Sequence, residues 1–252
     1  MIFQNSIWTF SGQNLSEIEA YGEVFNKDPL ITKLLLERGL RTEKEVHDFL
    51  NPKIEDLRDP LLLLDMDKAI LRIKQAIDQG ESIWMYGDYD VDGITSIAIL
   101  MKYFEHVGLN TQFYIPDRQD EGYGISESGL DAIKASGGNL VITVDCGITA
   151  ISQAQYAKSI GLDLIITDHH EFHGDLPEAI AVINPKRGDY PFKLLAGCGV
   201  ALKLVQALSG NDFASFVNNV IDIAALGTVA DIVPLIDENR VITSLGLDRM
   251  SI

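Results

Sequence analysis

The chain has 252 residues, 46% of them hydrophobic, and carries 37 acidic against 20 basic side chains, a net charge of −17. That length can bury one large core or a core plus an appendage. The acidity argues against a surface coated with cations for nucleic acid, no run reaches the ~20 apolar residues that span a bilayer, and two cysteines make no disulfide framework.

The opening "MIFQNSIWTFSGQN" lacks the basic and apolar regions of a secretory signal, so a cytoplasmic protein with Cys146 and Cys198 as buried free thiols is expected. Residues 1–65 are expected to be a mainly helical N-terminal extension. Within it "PLITKLLLERGL" has helical apolar spacing with a glycine near its end. "TEKEVHDFL" starts on a threonine that can cap and has acids in its first turn. "NPKIEDLRDPLLLLDM" is a turn-rich connector.

From residue 66 the pattern becomes regular. "DKAILRIKQAIDQGE" predicts an amphipathic helix stopped at Gly80. Then come strand "SIWMYG", helix "ITSIAILMKYFEHVG" and strand "TQFYIP". A helix "SESGLDAIKASGG" follows, with Ser126 as its cap, and then strand "NLVITVD". Helix "TAISQAQYAKSIG" and strands "DLIITD" and "AIAVIN" complete the alternating pattern. Strands alternating with helices of this length predict an α/β fold, a parallel sheet of about five strands with helices on both faces. The strands are apolar throughout, as strands covered on both sides should be. Beyond residue 196 the chain is mostly helical.

Chemistry gathers at the strand ends. Asp88, Asp90 and Asp92 lie just past "SIWMYG", Asp145 ends "NLVITVD", and Asp168 ends "DLIITD" with His169 and His170 next. In an open parallel sheet these ends share one edge, where such folds bind ligands. Carboxylates at that density repel unless cations separate them. Oxygen donors with one or two imidazoles suit Mn²⁺ or Mg²⁺. One imidazole can ligate metal while the other faces a substrate anion, and Asp168 can orient a ring from behind. Gly197 and Gly199 precede a helix, so their N–H groups could meet a phosphate; close backbone packing explains them equally well.

Three other readings of "DYDVDG" compete. It matches the start of an EF-hand loop, but the twelfth position is Ile99, not Glu, and a strand precedes it. It resembles the nucleophile loop of haloacid-dehalogenase phosphatases, with Asp90 attacking phosphorus, but Thr95 falls one place late. A solvated acidic turn explains one such triplet and does not explain three strand ends at once.

In order and spacing, "YGDYDVDGITS", "VITVDCGI", "IITDHHEF", "VINPKR", "LAGCGVALKL" and "AALGTVADIVPL" resemble the DHH phosphoesterases, and within them the RecJ single-stranded-DNA exonucleases. The likeness implies a two-metal phosphodiesterase, a 5′→3′ exonuclease of DNA repair and recombination using two Mn²⁺ or Mg²⁺ ions. It implies Asp90, Asp92, Asp145, His169 and Asp231 as metal ligands, with Asp145 bridging and acting in catalysis and Asp88 as a further ligand. His170 would contact the scissile phosphate. Apart from the likeness, Gly197 and Gly199 are candidate phosphate contacts by their place before a helix, and Arg118 is a candidate basic contact. Single-stranded DNA is the implied partner; a single-stranded-DNA-binding protein or a helicase would be protein partners, and no membrane is involved. On this likeness residues 66–240 form the catalytic domain. Residues 241–252 would begin the helix that leads, in the family, to a second domain with a Gly-Gly-His motif and an oligonucleotide-binding domain. Two other classes compete: a family member acting on pyrophosphate or on short or cyclic oligonucleotides, and a non-catalytic scaffold. The scaffold would have lost ligands, and every ligand-type position is filled here.

Overall fold

The computed structural model describes residues 14–117, 122 and 124–251. The chain divides into two compact units, Met1–Pro52 and Lys53–Ile252. In the first, α1 (Leu15–Phe25), α2 (Pro29–Glu37) and α3 (Glu43–Leu50) close around Ile18, Phe25, Leu35, Leu36 and Val46. Each helix starts where a side chain replaces a missing backbone partner. Asn14 accepts from the Ser16 N–H, Asp28 accepts from Leu30 and Ile31, and Thr42 and Glu45 form a reciprocal capping box.

The units part after Pro52, ahead of the boundary at residue 65 expected from sequence. Leu57 and Leu63 of the connector belong to the main core of the second unit. That unit contains α4 (Met66–Gln79), β1 (Ile83–Gly87), α5 (Val91–His106), β2 (Gln112–Tyr114), α6 (Glu127–Ala135), β3 (Leu140–Val144), α7 (Ile151–Ser159), β4 (Asp163–Thr167) and β5 (Ala181–Ile183). Four helices follow: α8 (Gly197–Ser209), the single turn α9 (Phe213–Phe216), α10 (Ile221–Ala230) and α11 (Asp237–Met250). The segment expected from residue 241 thus continues a helix begun at Asp237.

The five strands are all parallel, in the order β2-β1-β3-β4-β5. Successive residues on a strand face opposite sides, which gives the sheet two cores. Met85, Ile142, Ile165 and Ile183 face one, with side chains from α4, α5, α8 and α10. Tyr86, Val141, Ile166 and Val182 face the other, with α6 and α7. The α/β sheet with helices on both faces is as expected. The strand order reverses between β1 and β3, and in open sheets a crevice opens there, beyond the strands' carboxyl ends. Among the described residues no single helix is long and apolar enough to cross a membrane.

The helical half is pinned by a buried ionic cluster. Lys203 of α8 and Glu238 of α11 are fully buried and 2.8 Å apart. Lys203 also donates to the Arg58 carbonyl, while Glu238 accepts from the Arg58 N–H at 3.0 Å and from the Tyr190 hydroxyl at 2.5 Å. Removing one member of such a pair leaves the other buried and uncompensated. Lys203→Met is therefore expected to cost about 3–5 kcal/mol of stability in urea melts, and adding Glu238→Gln should recover part of that loss. A single-variant loss below ~1 kcal/mol, the range of an exposed pair, would contradict the assignment.

Candidate metal centre

β1, β3 and β4 are neighbours in the sheet, so the groups at their carboxyl ends converge. Asp88 follows β1 and is buried. Asp90 caps α5 by accepting from the Gly93 N–H at 2.9 Å. The chain turns so tightly that a Cβ on Gly93 would lie 2.5 Å from the Asp88 carbonyl oxygen. The helix starts at Val91, earlier than the pattern predicted, and puts Asp92 in its first turn rather than in a loop. An EF-hand is excluded, because residues 91–99 are helix rather than the second half of a calcium loop.

Asp145 follows β3 with a left-handed backbone, φ 58°. Non-glycine residues hold that conformation at a cost, and such residues concentrate at functional sites. Its buried carboxylate lies 3.1 Å from His169 Nε2. Burial, and then the negative charges of Asp92 and Asp90, push the Asp145 carboxyl up to about 10. His169 Nε2 also stands 3.7 Å from Asp92 and 3.7 Å from Asp231. Burial holds the His169 imidazole below its ordinary value, which favours the neutral ring that ligates metal.

Three sets of ligand atoms each fall within 4.8 Å: Asp88 with Asp90 and Asp145, Asp92 with His169 and Asp231, and Asp145 with His169 and His170. Two buried atoms among them, His169 Nε2 and Asp231 Oδ2, have no hydrogen-bond partner among the described residues. Buried polar atoms are almost always paired, so atoms left over inside a carboxylate cluster fit a divalent cation. Asp231 adds to this. It terminates α10, with its N–H bonded to the Gly227 carbonyl at 2.9 Å. A carboxylate there faces the negative end of the helix and gains from a cation. The solvated-turn reading fails, because Asp88, Asp92, Asp145 and Asp168 are all buried.

Residues 82–228 match the profile of the DHH family, N-terminal domain. The chain belongs to the DHH family. The single-stranded-DNA-specific exonuclease RecJ of Bacillus subtilis (strain 168) is 44% identical over 252 residues, 99% of this chain and 32% of that protein. This chain therefore spans about a third of the length of that relative. The crystal structure of RecJ in complex with Mn²⁺ from Thermus thermophilus superposes with a TM-score of 0.77 at 28% identity, over 94% of this chain and 34% of that one. A crystal structure of exonuclease RecJ bound to manganese gives 0.70 at 32% identity, over 76% and 49%. The family resemblance carried by the six motifs is thereby confirmed.

The second histidine of the DHH run is held differently from the first. Asp168 accepts from His170 Nδ1 at 2.7 Å and from the N–H groups of Ile148, His169 and His170. Burial alone would raise the Asp168 carboxyl, but these bonds hold it below its ordinary value. The bond that His170 donates to Asp168 is also the main cause that raises its half-buried ring to about 9. Asp168 thus stands behind the ring of His170, not of His169.

Gly197 departs from expectation. Its N–H donates to Asp92 at 2.6 Å, and the Cys198 N–H does so at 2.8 Å, so the first amides of α8 grip a carboxylate of the cluster rather than facing a substrate phosphate. Its missing side chain matters as well, because a Cβ there would lie 2.7 Å from Asp145 Oδ1. Gly199 is buried, and its Cβ would meet the Leu195 side chain at 3.1 Å. Both are close-packing positions. Arg118 lies outside the described residues. Both cysteines are buried free thiols that burial pushes well above their ordinary value, so neither is a nucleophile.

Sequence reasoning missed the supports. Asn184, fully buried after β5, donates from Nδ2 to the His170 carbonyl at 3.0 Å. Thr167 Oγ1 donates to the Thr143 carbonyl, and Thr143 Oγ1 donates to the Cys146 carbonyl. A polar residue at the end of an apolar strand was the available signal in each case.

The raised Asp145 carboxyl has a consequence for the metal-free protein. Its folded value lies far above the ordinary carboxyl range, so its stabilising neutral form is fully present only below that range. That contribution is lost as pH rises toward about 10. Asp145→Asn removes this dependence. In a chelator, the variant's advantage in melting temperature over the parent should widen between about pH 4 and about pH 8. A gap that stays constant or narrows would contradict the crowding described here.

Proposed function

We propose that this chain carries the catalytic site of a two-metal phosphodiesterase that degrades single-stranded DNA from the 5′ end. The observation that carries the reading is the pair of ligand sets, Asp88–Asp90–Asp145 and Asp92–His169–Asp231, with Asp145 close to both and two buried ligand atoms that make no hydrogen bond among the described residues. Each set would hold one Mn²⁺ or Mg²⁺, with Asp145 shared. Bound there, such ions would supply a water of lowered pKa and neutralise charge on the phosphate.

The chain's own residues divide the remaining work. Asp92 is fixed by the α8 amides and presents its remaining lone pairs to the cluster. His170 is half exposed and its hydrogen bond to Asp168 favours the protonated ring, so it can donate to a phosphate oxygen. Asp168 sets the direction of its ring and Asn184 anchors its backbone. The names of the relatives support single-stranded DNA as substrate. A single-stranded-DNA-binding protein or a helicase would deliver such a strand in the cytoplasm.

Two substitutions separate the histidines. His169→Ala should weaken Mn²⁺ binding by at least ~10-fold, read by calorimetric titration. His170→Ala should leave Mn²⁺ binding nearly intact and lower turnover by about 10²–10⁴-fold. The turnover assay follows mononucleotide release from strands labelled at either end, with the 5′ label released first. Equal losses of metal affinity in both variants would refute the division of roles, and label released first from the 3′ end would refute the polarity.

A further inference from the structure

Ile232 directly follows Asp231 and is anomalous in two ways. Its backbone is left-handed, φ 60°, and its side chain is 88% exposed. It occupies the position just past the end of α10, with its N–H bonded to the Val229 carbonyl at 3.2 Å. Glycine is the favoured residue there, and a β-branched side chain is among the worst. Leu226 and Val229 of α10 and Ile94 of α5 are exposed as well, but of these residues Ile232 is the one whose exposure comes with a left-handed backbone. Strain of this kind points to a functional constraint.

Val91 occupies the matching place on the other helix. It lies between Asp90 and Asp92, at the first position of α5, and is 44% exposed. α5 and α10 touch where a Cβ on Gly227 would lie 2.2 Å from Thr95 Oγ1. Val91 is one turn before Thr95, and Asp231 one turn beyond Gly227, so both helices carry their apolar residue to the same end as the carboxylates. Basic side chains that follow the DHH run are already engaged: Lys186 pairs with Glu171 at 3.0 Å and Arg187 with Asp65 at 2.8 Å.

We propose that Val91 and Ile232 form an apolar rim that contacts the sugar and base of the nucleotide whose phosphate sits at the carboxylate cluster. This rests on the function proposed above and adds what recognises the nucleoside. Aliphatic side chains wedge against base faces in many nucleic-acid complexes, and contact with a base face tolerates every sequence. Faces are accessible in a single strand and stacked away in a duplex, so such a rim selects unpaired strands without reading their order. It also suits an acidic chain, because this part of the affinity needs no cation.

The test measures fluorescence anisotropy of the 252-residue chain in Mn²⁺ with two oligomers of equal length, an oligothymidylate and an abasic phosphodiester, with strand integrity checked on a gel. The parent should prefer the oligothymidylate by roughly five- to tenfold. Ile232→Gly and Val91→Ala should each reduce that preference while abasic affinity stays put. Ile232→Gly should also raise the melting temperature, because glycine relieves the left-handed strain. A preference that survives both substitutions, or an Ile232→Gly protein that melts lower, would overturn the rim while leaving the metal reading intact. If Mn²⁺ tightens neither oligomer, the metal reading falls and the rim with it.

Discussion

Burial, and then the nearby charges of Asp92 and Asp90, raise the Asp145 carboxyl to about 10, and neighbouring elements are arranged around that crowding. Three adjacent strands of one parallel sheet end at the same edge, and each delivers an acid there. Close packing of acids costs free energy in any protein without cations. The fold keeps that arrangement by tying each acid down. Asp90 caps α5, Asp92 takes two amides from α8, and Asp145 is held in a left-handed turn whose neighbour Cys146 is bonded by Thr143. Such restraint keeps donors in place for a cation and prevents them from relaxing away from one another.

The helices beyond the sheet serve the same end. α8 brings its first amides to Asp92, and Gly197 leaves room for Asp145 beside it. The buried Lys203–Glu238 pair in turn joins α8 to α11 and to the connector at Arg58. α10 carries Asp231 to the cluster, and Gly227 leaves room for Thr95 of α5 beside it. The site is therefore assembled from strand ends and from the packing of three helices. A change in helix packing remote from the acids can reach them through those backbone contacts.

Much of this was legible in the sequence because it rests on short-range rules. Alternating apolar strands and helices with glycine stops predicted the parallel sheet, and the acids at three strand ends predicted their own convergence. Asp231 was not legible that way. A lone acid in the apolar run "AALGTVADIVPL" reads as a cap or turn, and only family resemblance marked it. Helix α1 escaped notice because an isolated amphipathic segment with an internal glycine, Gly22, gives a weak signal. The partner of Gly197 was invisible, because nothing local to "AGCGVALKL" reveals that its amides meet a carboxylate far away in sequence. Asn184 was hidden for the same reason: its contact with His170 depends on β4 and β5 lying side by side.

In the function proposed above, two cations, one on either side of Asp145, would resolve the carboxylate crowding. Anomalous scattering from crystals of the chain soaked in Mn²⁺ tests it directly. Two peaks are expected, one against Asp88, Asp90 and Asp145 and one against Asp92, His169 and Asp231, both lost in Asp145→Ala crystals. A single peak, or two peaks that persist unchanged without the Asp145 carboxylate, would contradict it.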